Sequence, residues 1–146
     1  MRRPVAGDDR GTILVLLLGF VAVLLLMVAV VVNVSAVILA KRGVASAADG
    51  AAVAAAQELD LTDLYANGLG RRIPLDRDRV GPRVEQYEVQ ARQSQPGLDL
   101  RGEVSQDGTT AIVRGVRVVE LPFGRLLRFQ PVRVEAEARA RAPVAP

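Results

Sequence analysis

The sequence predicts an α+β chain: a long N-terminal helix that crosses a membrane and continues outside it, then a short helix and a three-stranded antiparallel sheet. Three observations carry this. Residues 12–32 (TILVLLLGFVAVLLLMVAVVV) form an apolar run without a charge. Residues 40–59 (AKRGVASAADGAAVAAAQEL) are rich in alanine, the best helix former. Residues 98–142 alternate apolar and polar side chains around an Asp107-Gly108 hairpin signal.

About 20 apolar residues in a helix span the roughly 30 Å core of a bilayer. A backbone in lipid must satisfy its own hydrogen bonds, which makes this run a helix. Apolar character resumes after Asn33 and Ser35 and lasts to Ala40. Arg2, Arg3 and Arg10 precede the run, and Lys41 and Arg42 follow it, so positive charge favours a cytoplasmic N-terminus. The rival is a cleavable export signal ending near Ala45-Ser46-Ala47. Its apolar region is normally about 7–15 residues, shorter than this one.

Between Thr12 and Lys41 the alanines are Ala22, Ala29, Ala36 and Ala40. At 100° per residue they share one narrow stripe, with Asn33 in its middle. Gly43, Ala47, Ala51 and Ala54 extend it. Small residues let helix backbones approach in lipid, where apolar contact alone drives no association. The expected helix-packing interface is therefore Ala22, Ala29, Asn33, Ala36 and Ala40, with Asp49 beyond the lipid. Asn33 is the one side-chain amide in the apolar zone. It marks function, or makes an interhelical hydrogen bond, or lies near the headgroups; the last two are favoured. Gly43 and Gly50 each weaken the helix by roughly 1 kcal/mol.

A short basic leader ends in Gly11, a long apolar run follows with a polar residue late in it, and Lys41-Arg42 precede VASAADGAAVAAAQ. This order of features resembles the Flp (tight-adherence) pilus-assembly TadE/TadG-like family. Residues 48–52, Ala-Asp-Gly-Ala-Ala, are similar to the family's Ala-Asp-Ala-Ala stretch, with Gly50 replacing an alanine and Asp49 retained. Asn33 stands where the family usually has aspartate. The resemblance covers residues 8–60. It implies a component of a Flp-type pilus machine, anchored in the cytoplasmic membrane with its C-terminal part outside. Pilins of this broader class are cut after a glycine by a prepilin peptidase, usually with glutamate five residues later. Gly11 is the candidate site here, and Leu16 in the glutamate position argues against cleavage and against a major pilin.

In the remainder, Asp60 and Thr62 suit the cap of a turn through Leu64 and Tyr65, which Asn67-Gly68 and Gly70 break. Residues 78–93 read as a helix with Pro82 in its first turn and Val84, Tyr87 and Ala91 on one face. Residues 98–104 are a first strand, and 111–120 the return strand with a bulge at Gly115. Residues 121–130 (LPFGRLLRFQ) are a hydrophobic connection whose Phe123, Leu126, Leu127 and Phe129 help the short helix cover the sheet. Residues 132–142 alternate without a fault, and period two outweighs the helical ion-pair spacing of Glu135–Arg139 and Glu137–Arg141. A long helix followed by a small sheet is also the general pilin plan.

Composition removes most chemistry. The chain has 146 residues, no cysteine and no histidine, and a net charge of only +3. Without histidine, none of Ser35, Ser46, Ser94 and Ser105 has the usual base. Asp76/Asp78 and Glu85/Glu88 are carboxylate pairs among arginines and read as solvated faces. No enzyme, cofactor, metal or nucleic-acid partner is expected. The expected layout is a basic leader at 1–11, a transmembrane helix at 12–40, its alanine-rich extension at 41–60 and an extracytoplasmic α+β domain at 61–146. The expected partners are the membrane and other transmembrane helices of a pilus or secretion machine, in a homo- or hetero-oligomer. The alternative is a secreted or anchored surface binding module whose apolar run is an export signal.

Overall fold

One helix carries both the apolar run and the alanine-rich stretch. In the computed structural model, which describes residues 9–60 and 74–142, α1 runs unbroken over Asp9–Ala55. Its 47 residues make a rod roughly 70 Å long at 1.5 Å per residue. Large apolar side chains on it are exposed from Ile13 to Leu39. From Ala40 onward its small side chains turn inward: Val44, Ala47, Ala48, Ala51, Ala52 and Ala55 are buried.

The covering elements come from the C-terminal half. Helix α2 (Arg77–Ala91) is capped by Asp76, whose Oδ1 accepts from the N–H groups of Asp78 and Arg79. Pro82 lies in its second turn rather than the expected first, on the exposed side. Strands β1 (Leu98–Val104), β2 (Thr110–Val119) and β3 (Val132–Arg141) form an antiparallel sheet in the order β1-β2-β3. The single-turn helix α3 (Gly124–Leu127) sits in the β2–β3 connection. The chain enters α2 by a backbone bridge between Leu59 and Leu75. The capped turn expected at residues 62–65, its breakers at 67–70 and the leader at 1–8 lie outside the described residues.

The sheet has an apolar inner face and an outer face on which charged side chains of β1 and β3 flank Ile112, Val116 and Val118 of β2. Inward, β3 presents Val132, Val134, Ala136, Ala138 and Ala140; outward it presents Arg133, Glu135, Glu137, Arg139 and Arg141. On the outer face, Arg114 reaches Glu103 of β1 at 3.2 Å and Glu137 of β3 at 2.9 Å. These contacts hold the Glu137 carboxyl below the usual range, the Arg114 hydrogen bond most of all. They are exposed pairs, of little weight in stability. The hairpin turn is organised by Asp107. Its carboxylate accepts from Ser105 Oγ and, at 2.8 Å, from Thr109 Oγ1, which lowers its pKa to about 2.

Three expectations need correction. Gly115 is not a bulge: it pairs in register with Leu100 and with Ala136. A side chain there is excluded for a different reason. A Cβ on Gly115 would stand 2.9 Å from Val44 Cγ1 and 3.1 Å from Leu100 Cδ2. Second, the apolar face of the sheet is covered by α1, with α2 beside it, not by the 121–130 connection. That connection lies beyond the sheet, against the apolar part of α1. Third, Glu88 does not belong to a solvated pair. Glu85 is exposed, but Glu88 is buried, accepts from the Leu100 N–H at 2.6 Å and pairs with Arg92 at 2.5 Å.

Both glycines that weaken α1 sit where another element comes close. Gln95 Nε2 donates to the Gly43 carbonyl at 3.2 Å. The Tyr87 ring of α2 lies over Gly50, where a Cβ would stand 2.7 Å from Cζ and closer still to the hydroxyl. Gly50→Ala is therefore expected to destabilise by about 1–3 kcal/mol, the cost of overpacking, although alanine favours the helix. In Tyr87→Ala, the same change becomes stabilising. Denaturant unfolding of both pairs in micelles tests this; a G50A penalty that persists beside Y87A sinks it.

Candidate functional site

The stripe predicted from the alanines is a packing face, and from Ala29 upward the chain itself occupies it. Of its members, Ala29, Asn33, Ala40, Ala47 and Ala51 are buried and Ala36, Gly43 and Ala54 half-buried; the buried Ala48 and Ala55 lie beside it. Ala22 is the exposed member. The expected occupant was a second transmembrane helix; for the upper part of the stripe it is the C-terminal half of the same chain. Small side chains are what such an approach needs, since a bulky residue at Ala48 or Ala51 would lift the helix off the sheet.

Asn33 shows how deep the contact reaches. It is 4% exposed, and its Oδ1 accepts from the backbone N–H of Phe123, 90 residues away, at 3.0 Å. Its bond is made to a strand connection rather than to another helix. An aspartate carboxylate, which the family resemblance implies at this position, is an equally good acceptor for that N–H. The Asn33 Nδ2 is buried without a partner among the described residues.

The connection that meets Asn33 is closed on itself. Leu121 accepts from the Gly124 N–H, Phe123 from Leu127 and Gly124 from Phe129, at 2.9–3.0 Å. Gly124 is buried against Leu121 and the Phe129 carbonyl. Leu126 and Phe129 are exposed, and Phe123 is so in part.

The remaining predicted residues lie apart from this contact. Asp49 is exposed on the side of α1 away from the buried alanines. Gly11 is in the first turn of α1, with open space around its Cα. Asp76 caps α2, and no group of acids among the described residues is arranged to hold a metal. Between Ile13 and Val28, α1 offers only exposed apolar residues, with Gly19 among them. Sequence reasoning missed two participants, the Phe123 N–H and Glu88. A backbone donor leaves no trace in residue type, and Glu88 differs from solvated neighbours only by sharing a helix face with Val80 and Val84.

Among the described residues one helix, α1, is long and apolar enough to cross a membrane. Residues 11–58 match the model of the family described as Putative Flp pilus-assembly TadE/G-like. The match takes in α1 from the start of its apolar run through the whole alanine face, about a third of the chain. No curated protein and no solved structure matches the chain.

Proposed function

We propose that this chain, whose residues 11–58 form a TadE/G-like segment, is a non-enzymatic, single-pass structural component of a Flp-type pilus or related secretion machine. The supporting observation is the division of α1. Residues 13–39 expose nearly every large apolar side chain, while residues 40–56 are the core of the chain's own domain. The first part is suited to lipid and to neighbouring transmembrane helices, the second to holding the sheet outside the cytoplasmic membrane, N-terminus inside. With the upper stripe occupied internally, partner helices are left the lower part, around Ala22 and Gly19.

The export-signal reading fares worse on one observation. A chain starting at Ala48 loses Ala40, Val44 and Ala47, and Val44 is fully buried against Gly115. The released remainder lacks part of its core.

Ala22→Leu places a bulky side chain on the exposed stripe without touching the domain. It is expected to reduce co-purification with other pilus-machine membrane subunits several-fold while leaving thermal unfolding of the sheet unchanged. Undiminished association removes the lower stripe as the partner surface.

A further inference from the structure

We infer that the β2–β3 connection, residues 121–129, is a second membrane contact that dips into the outer leaflet beside the transmembrane helix. This rests on the anchored reading of α1. Four observations support it.

The first is depth. The connection is bonded to Asn33, and α1 still exposes Val34, Ile38 and Leu39 above that point. Asn33 is roughly 9 Å along the axis below Leu39 at 1.5 Å per residue. A lipid layer that wets those side chains reaches the connection too. Second, the side chains suit lipid: Leu126 is 76% exposed and Phe129 54%, with Phe123 beside them. Exposed leucine and phenylalanine on one turn are a poor surface for water. Third, much of the turn's backbone is already paired. The N–H groups of Phe123, Gly124, Leu127 and Phe129 are all bonded within the protein, and Pro122 has none. Unpaired backbone groups are what lipid does not tolerate.

Fourth, the charges are placed for headgroups. Arg125 and Arg128 are exposed on the same turn, and Lys41 and Arg42 are exposed on α1 just above. Long cationic side chains reach from a shallow apolar depth to phosphate level, and an anionic leaflet attracts them. The occupant is therefore the bilayer. Asn33 is the residue that docks the connection at this depth.

The chain contains no tryptophan, so single-tryptophan variants report cleanly. Leu126→Trp, with Leu18→Trp as a transmembrane reference and Val89→Trp as an aqueous one, is reconstituted in phosphatidylcholine–phosphatidylglycerol vesicles. The domain is oriented outward. Leu126→Trp is expected to show blue-shifted emission, to lose intensity to lipids brominated high on the acyl chain, and to be shielded from iodide relative to Val89→Trp. If Leu18→Trp is shielded while Leu126→Trp is quenched by iodide like Val89→Trp, the inference falls and the anchor stands. If both are quenched by iodide, the anchor falls and takes the inference with it. Shielding of Leu126→Trp from iodide and bromolipid alike means a protein surface covers the turn, which also overturns the inference.

Discussion

Replacing Gly115 with alanine is expected to cost about 1–3 kcal/mol of stability, the usual price of forcing atoms into a packed core, and valine is expected to cost more. Gly115 is in the middle strand, flanked in register by Leu100 and Ala136. Its inward side meets Val44, which is completely buried, at the level where α1 crosses the sheet. A methyl group cannot turn outward from a strand position whose pleat faces in. Val44 has little freedom to yield, because β-branched side chains in helices hold one rotamer. The helix must then lift or the strand must bend. Val44→Ala removes the opposing methyl groups and is expected to absorb part of the penalty. The double variant should be less destabilised than the sum of the single changes, the signature of residues in direct contact. Thermal unfolding in detergent, followed by the β signal, checks this. Strictly additive penalties count against the contact.

Glu88→Ala is expected to be the most damaging change of a charged residue in α2. The Glu88 carboxylate accepts from the Leu100 N–H at 2.6 Å, while Arg92 Nε donates to the Leu98 carbonyl at 2.8 Å. Together they supply the donor and acceptor that a fourth strand would offer to the edge of β1. Removing the carboxylate leaves the buried Leu100 N–H unsatisfied, a loss of roughly 1–3 kcal/mol. It also frees Arg92 and uncovers an edge open to pairing with another chain. Glu88→Gln keeps an acceptor oxygen and is expected to lose less, with no new self-association. Denaturant midpoints and light scattering of both variants decide it. Equal losses for alanine and glutamine would mean that the backbone bond contributes little.

The sequence made some of this legible and hid the rest for identifiable reasons. Period two in residues 132–142 assigned every inward and outward side chain of β3, since an edge strand packed on one face leaves no other arrangement. The stripe from Ala29 to Ala51 marked the buried side of α1, because small residues are conspicuous among valines and leucines. Which body lies against that stripe was not legible: a helix partner and the chain's own sheet require the same small side chains. Gly115 raised the same ambiguity, as a glycine in a strand marks either a bulge or a close approach. The apolar connection at 121–129 read as core cover because hydrophobicity does not distinguish a protein interior from lipid. Asn33 stood out as a polar residue in an apolar run, but its partner lay in a backbone amide far along the chain.

The absence of any break in α1 between Leu39 and Ala55 has a mechanical consequence. The sheet is clamped directly to the shaft, without a swivel between them. Tension or torque applied to the N-terminal end of α1 is transmitted to the C-terminal domain as rotation and displacement of the whole body. A chain built this way behaves as a lever, and whatever grips its lower shaft sets the direction in which the outer face of the sheet is presented.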